Sequence, residues 1–286
     1  MRSAVRLAVS LVLIGIGLGF AGGLHPAGDS ISIVRLQLTV VLVCLLPVLW
    51  FIQRSHALVV GAVALLSAGT MVQLPPTEAV DTLSVYQKNL NYRLKNMDLV
   101  EADIRELQPD IVTLQEVSLR LRPMLSNLAD TYPNHAYCPF HTVIGGVAVV
   151  SKWQINQVIC IEGAGFVAAE IARGSQSFWA VSIHLHWPWP YRQSEQLDRI
   201  IQQLEALDGP VLVGGDFNMV PWGNAVRRIR KATGTQLAQA PFSTFPRFHP
   251  FAPLAIDHVL GPHGGISTAR QLDGSDHKGV FARLAF

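Results

Sequence analysis

The chain has 286 residues, half of them hydrophobic and only 15% charged, with a formal net charge of +2. That balance is too apolar for an ordinary soluble enzyme, and too near neutral for a protein that grips nucleic acid through a broad basic face. The apolar excess lies before residue 75, and from Thr82 onward 18 Lys and Arg stand against 17 Asp and Glu.

Three uncharged runs come first, Leu7 to Leu24, Leu36 to Ile52 and Ala57 to Leu74. Each is close to the roughly 20 residues that cross a bilayer core, so the spacing predicts three transmembrane helices, about 7–24, 36–52 and 57–74. Gly15, Gly19 and Gly23 recur every four residues on the first, either as a face for close helix approach or simply as a glycine-rich span. Arg2 and Arg6 precede the first run and Arg54 separates the second from the third, which predicts that these segments stay cytoplasmic. The remainder then lies outside, as a multi-pass inner-membrane protein whose globular part is extracytoplasmic, periplasmic in a Gram-negative cell. Cleavage of the first run as a signal peptide would leave that side unchanged. Pro75-Pro76-Thr77-Glu78 marks the boundary between an anchor, 1–76, and a globular domain, 82–286.

In the globular part, Thr82 to Lys88 reads as a strand ending in the polar run Asn89-Leu90-Asn91. Leu99, Val100, Ile104 and Leu107 recur at helical spacing, Ile111 to Leu114 reads as a buried strand ending in Gln115-Glu116, and a helix is expected over Leu119 to Leu128. Strands follow at Val147 to Val150 and at Phe178 to Ile183, the latter running into His184-Leu185-His186. Leu197, Ile200, Ile201 and Leu204 form the inner stripe of an amphipathic helix. Val211-Leu212-Val213 breaks into Gly214-Gly215-Asp216-Phe217-Asn218, where the period of two puts Asp216 and Asn218 on one face. Leu254-Ala255-Ile256 leads into Asp257-His258, and Ser275-Asp276-His277 precedes a last strand, Val280 to Leu284. About seven or more strands joined by both short and helix-length connections suit sheets packed face to face with helices outside. Cys44 sits in an apolar run, and spacing cannot show that Cys138 and Cys160 meet, so these two are read as free buried thiols.

Six polar clusters therefore stand at strand ends. In their order, Asn89, Gln115-Glu116, His184-Leu185, Gly215-Asp216-Phe217-Asn218, Ile256-Asp257-His258 and Ser275-Asp276-His277, the chain resembles the endonuclease/exonuclease/phosphatase superfamily from about Leu83 to its end. The resemblance implies an α+β four-layer sandwich of two packed mixed β-sheets flanked by helices, here preceded by three transmembrane helices. It implies a divalent-metal-dependent phosphoester hydrolase using Mg²⁺, or Mn²⁺ in its place, with Glu116, Asn89 and Asp276 on the metal side. His277 is then the general base held by Asp257, Asp216 helps activate the water, and Asn218 and His184 serve the phosphoryl oxygens. Asn91 stands where some relatives carry an acidic second ligand. The chemistry is coherent without the name: an anionic phosphodiester needs a hard cation, a base for water and donors for the developing charge.

The expected substrate is a phosphodiester of nucleic acid or of a phospholipid headgroup, with membrane lipid as the other partner and no protein partner implied. Trp187-Pro188-Trp189-Pro190-Tyr191-Arg192 could stack on bases or sit among headgroups. Arg227-Arg228-Ile229-Arg230-Lys231 is a basic run, read first as a solvated helix face. The competing reading is a catalytically idle, membrane-tethered module that binds a phosphorylated ligand. The completeness of the residue set speaks against it.

Overall fold

The apolar third folds as helices and the rest as layered strands and helices. In the computed structural model, which describes residues 2–73, 82–239, 243–248 and 253–286, α1 (Arg2–Gly19), α3 (Arg35–Ile52) and α4 (Arg54–Gly69) pack through Val9, Ile16, Leu42, Leu49, Val60 and Ala64. Their other faces expose Leu7, Leu11, Ile14, Val40, Phe51, Leu58 and Leu65. Helices apolar on all sides and only partly buried are what a lipid surrounding permits. α1 and α3, each of 18 residues, are long and apolar enough to cross a membrane. α4 is shorter than the span expected over 57–74: its 16 residues reach roughly 24 Å against a hydrocarbon core of about 30 Å. The first helix also ends early, at Gly19, in a glycine-rich turn that carries Leu24 outside it.

Twelve strands among the described residues make one hydrogen-bonded ladder. In chain order they are β1 (Thr82–Asn89), β2 (Ile111–Val117), β3 (Asn134–Pro139), β4 (Gly146–Ser151), β5 (Ile155–Ile161), β6 (Phe166–Arg173), β7 (Gln176–His184), β8 (Val211–Asp216), β9 (Gln236–Gln239), β10 (Asp257–Gly261), β11 (Gly265–Ala269) and β12 (Val280–Ala285). Their spatial order is β3-β4-β2-β1-β12-β11-β9-β10-β8-β7-β6-β5, with β1/β2, β7/β8 and β9/β11 parallel. The two sheets expected from the sequence are thus halves of a mixed ladder that folds over at β9, which pairs through two residues with each neighbour. Their inner faces meet in a core of Leu83, Val85, Ile111, Val147 and Val149 against Val167, Ile171, Phe178, Leu212 and Val259.

Helices cover both outer faces. α5 (Asp98–Leu107) and α6 (Pro123–Asn127) set Val100, Ile104, Met124 and Leu125 on Val112, Leu114 and Val150. α7 (Gln193–Leu204) and α8 (Asn224–Thr233) set Leu197, Ile200, Val226 and Ile229 on Val181, Val211 and Val213. Each such side chain contributes about 1.5–3 kcal/mol by leaving water. The helix expected over Leu119 to Leu128 is only the five residues of α6, because Pro123, which lacks an amide hydrogen, suits a helix start and not its interior.

Cys138 and Cys160 form a disulfide with Cα atoms 5.5 Å apart, which overturns the expectation of free thiols. Cys138 is on β3 and Cys160 on β5, the two outermost strands, and folding the ladder over brings its ends together. Cys44 is free and exposed.

The link between the first two long helices is itself a helix, α2 (Ala27–Ile33), docked on the globular domain. Trp222 Nε1 donates to Ser32 O at 2.9 Å, Ser30 Oγ donates to Trp189 O at 2.6 Å, and Ile33 packs against the cluster of Phe245, Leu254 and Ile256. Asp29 Oδ1 accepts the Asn224 N–H at 2.8 Å, so a carboxylate on α2 caps the positive end of α8.

Candidate active site

Strand register assembles the site. Asn89 pairs with Gln115, His184 with Asp216, and Asp216 with Asp257, so five strands, β1, β2, β7, β8 and β10, present polar residues at one edge of the sandwich. The two halves approach closely beneath it: a Cβ on Gly214 would lie 2.2 Å from Thr113 Oγ1, so only glycine fits there. Three site residues leave their strands in the left-handed backbone region, Asn91 (φ 58°), Glu116 (φ 55°) and Asn218 (φ 46°). Such conformations cost of order 1–3 kcal/mol for a non-glycine residue and persist where surrounding contacts enforce them.

At the centre, His277 Nδ1 lies 2.9 Å from Asp257 Oδ2 and Nε2 lies 3.7 Å from Asp216 Oδ2. Single donor atoms of Asp216, Asp257 and His277 all fall within 4.8 Å of one another, and all three residues are buried. His184 Nε2 approaches the same Asp216 oxygen at 3.7 Å and Glu116 Oε1 at 3.9 Å. Asn89 Nδ2 donates to both carboxylates, at 2.9 Å to Asp216 Oδ2 and 3.1 Å to Glu116 Oε1. Its Oδ1 accepts from Asn91 N–H at 2.8 Å. Asn89 thus touches the carboxylates through its amide hydrogens. Asp276 joins the cluster through Asn91, whose Nδ2 donates to Asp276 Oδ1 at 2.9 Å. Asn218 directs its N–H to Asp216 Oδ1 and its side-chain amide to Leu185 O, both at 2.8 Å.

Further residues support this cluster. Gln87 Nε2 donates to Asp257 Oδ1 at 3.2 Å and to Gln115 Oε1 at 2.7 Å. Thr244 Oγ1 accepts the N–H groups of Ile256 and Asp257, and the Phe245 ring stands 4.8 Å from that of His277. Lys88, fully buried, donates to the carbonyls of Gln271, Leu272 and His277 and faces Asp273 at 3.6 Å, tying down the loop that carries His277. Of the histidines adjoining the site residues, His258 is buried with Nε2 2.7 Å from Met219 O, and His186 is exposed.

The charges are out of balance. Burial raises the Asp216 pKa to about 6, with the Asp257 charge adding to it and His277 opposing. Burial alone would lower His277, but the charges of Asp257 and Asp216 outweigh it and lift the imidazole to about 10. Asp257 is held below the usual carboxylate range because its contact with His277 overcomes its own burial. Asp257, Asp216 and Asp276 thus act on one imidazole, and Glu116 is joined to Asp216 through Asn89. Two carboxylate oxygens sharing a neutral amide, with further carboxylates close by, are a donor set that fits a hard divalent cation.

Residues 86–277, from within β1 to the histidine of the last cluster, match the model of the Endonuclease/Exonuclease/phosphatase family. The chain belongs to this family. Solved structures share the fold of its globular part. A family protein from Leptotrichia buccalis aligns with a TM-score of 0.57 at 17% identity, over 71% of this chain and 100% of that one. A mutant beta toxin from Staphylococcus aureus with bound magnesium ions aligns at 0.57 and 16% identity, over 71% and 99%. A truncated Caenorhabditis elegans TDP2 aligns at 0.53 and 18% identity, over 72% and 98%. No curated protein matches the chain. Alignments that take in nearly the whole of these proteins and about seven tenths of this one leave the rest of the chain as an addition to the family fold.

Proposed function

We propose that the protein is a membrane-anchored, divalent-metal-dependent phosphodiesterase that hydrolyses a phosphodiester by in-line attack of water. The observation that carries this reading is the buried Asp257–His277–Asp216 cluster beside Glu116 and His184, in a chain of this family. In the neutral imidazole, the Nδ1–H directed at Asp257 leaves the Nε2 lone pair to accept a proton from water, and Asp257 supports the imidazolium that results. Asp216 faces that nitrogen and orients the attacking water. His184 donates to the phosphoryl oxygen or the leaving group, and Asn218 supports Asp216 while lining the phosphate side. Glu116 and Asp216, aligned by Asn89, with Asp276 behind Asn91, would hold the Mg²⁺ or Mn²⁺ ion. The ion supplies positive charge for the phosphoryl oxygens and offsets the carboxylate field that keeps the proton on His277.

Between a phospholipid and nucleic acid, the position of α2 favours the lipid. Ile33 packs against the cluster of Phe245, Leu254 and Ile256, and the Phe245 ring stands beside that of His277, so the catalytic rim is continuous with the segment joining two membrane helices. Trp189 and Tyr191 are exposed on the same loop, and such side chains favour the headgroup layer. The extracytoplasmic side is supported by Arg6, which donates to Gln53 at the helix ends away from the domain, and by the disulfide, which belongs to an oxidising compartment.

The full chain in detergent should hydrolyse phospholipid, lose activity in excess chelator and regain it with Mg²⁺ or Mn²⁺. Full activity after exhaustive chelation would remove the metal from the reading. Failure on phospholipid together with hydrolysis of DNA or RNA would move the substrate to nucleic acid, and failure on all of them would favour the binding module.

A further inference from the structure

A cavity lies away from the catalytic cluster. It is a cleft of about 730 Å³ between the helix ends nearest the globular domain and the domain itself, bounded by Phe20, Arg35 and Thr70 on one side and by Trp222, α8 and the Pro262–Gly264 turn on the other. β10 runs from Asp257 at the catalytic edge to Gly261 beside that turn, four steps of about 3.3 Å, so the two sites lie roughly 13 Å apart along the strand. The volume is in the range of pockets that hold small ligands, about 300–1,000 Å³.

Three guanidinium groups line the cleft, those of Arg35, Arg227 and Arg230. None of them has a carboxylate at ion-pair distance among the described residues, whereas Arg228 on the same helix is paired with Asp198 at 2.7 Å. Arg35 lies deepest, 2% exposed. Its Nη2 donates to Thr70 Oγ1 at 3.2 Å, its guanidinium stands 4.1 Å above the Phe20 ring, and its Nε has no acceptor. Arg230 Nε is likewise buried without an acceptor, while its Nη2 donates to Gln236 Oε1. Arg227 Nη2 donates to Asn224 Oδ1. The carboxylate in the lining, Asp29, has its Oδ1 turned to the start of α8, where it accepts the Asn224 N–H. A buried guanidinium with five donors and one neutral acceptor is a costly arrangement that an oxyanion would relieve, and a phosphate group matches the guanidinium fork.

The height of the cleft identifies where that phosphate comes from. Phe20, Arg35 and Thr70 stand at the opposite ends of the helices from Arg6 and Arg54, next to the docked domain. On the membrane-anchored reading, on which this inference rests, that level is the headgroup layer. We propose that the cleft binds the phosphate of an anionic phospholipid headgroup, as a docking site separate from the catalytic centre. The lipid then bridges Arg35 on the anchor and Arg227 and Arg230 on the domain, fixing one to the other.

The test uses the full chain in a neutral detergent with chelator present throughout, which keeps catalysis out of the readout. Short-chain phosphatidylglycerol should raise the melting temperature by several degrees, and phosphatidylcholine or inorganic phosphate at the same concentration should do much less. Arg227→Gln with Arg230→Gln should remove at least half of that shift, and Arg228→Gln should keep it. Native mass spectrometry of the unaltered protein from an equimolar lipid mixture should show phosphatidylglycerol retained over phosphatidylcholine, a readout independent of any variant. An equal shift from all three additives, an undiminished shift in the double variant, or no retained preference would overturn the proposal. Flotation with pure phosphatidylcholine vesicles separates the failures: a chain that floats but shows no anionic preference fails this inference alone, and one that does not float fails the anchoring beneath it.

Discussion

His277 is fixed at ring and backbone together. Asp257 holds Nδ1, Ser275 Oγ accepts the backbone N–H at 3.0 Å, and Lys88 holds the carbonyl. A general base contributes roughly 10²–10⁴-fold to rate, so on the proposed reading His277→Ala should lower turnover by about that factor with substrate binding little changed. Asp257→Asn keeps the shape and removes the charge, and it should be nearly as severe. If the pair acts as one unit, the double variant should be scarcely slower than the worse single variant. Multiplicative losses in steady-state kinetics would mean independent roles and shift the water-activating role to Asp216. His258 offers a test without catalysis. Burial lowers its pKa from 6.5 to about 4, so below pH 6.5 the unfolded chain takes up a proton that the folded chain refuses. Stability should therefore fall as pH drops from about 6.5 to about 4, by roughly 3 kcal/mol at most. In His258→Gln, denaturant midpoints followed by tryptophan fluorescence should flatten over that window. An acid limb of unchanged depth would assign the effect to another group.

At the scale of elements, the disulfide closes a loop between strands 22 residues apart, and chain-entropy arguments give such a loop about 3 kcal/mol. Replacing both cysteines by serine should lower stability by about that amount in denaturant unfolding, and a loss below 1 kcal/mol would show that the strands hold without it. β3 and β5 also mark where the sequence was hard to read. Both are outermost: β3 alternates only through the small residues Ala136 and Cys138 and β5 has no fully buried residue, so neither carries a strong hydrophobic period, and the pairing of their cysteines depends on a fold-over set by the short, distant β9. Central strands such as β2 and β8 were legible because both faces are buried and the apolar run ends abruptly in Glu116 or Asp216. The clusters at those ends could be ordered by resemblance, but Gln87 and Lys88 could not, since a lone buried polar residue has no motif. α2 was missed for a related reason: its seven residues are stabilised by contacts with Trp189, Trp222 and Asn224, far away in sequence.

Across the whole molecule, the helix ends carrying Arg6 and Arg54 and the end carrying the domain point in opposite directions. In a bacterial host, a reporter active only outside the cytoplasm should therefore work when fused after Pro76. Activity confined to cytoplasmic reporters would overturn the proposed topology and deny the site its external substrate. The shortness of α4 does not bar this arrangement, because a helix packed on a neighbour, as α4 is on α3, can span where the bilayer thins or where flanking polar residues reach the interface.

The contact from Ile33 through the Phe245 cluster to His277 also sets the dimensionality of the reaction. An imidazole held at a constant height above a bilayer does not search a volume. On the proposed reading it samples the lipids that diffuse beneath it, and its effective substrate concentration is a surface density. Diluting the substrate lipid with an inert one in the same vesicle should slow turnover even when the total amount in the tube is unchanged, whereas adding more vesicles of the same composition should not speed an enzyme already embedded. A dissolved polynucleotide would obey the reverse rule, with the rate following bulk concentration and indifferent to the lipid mixture.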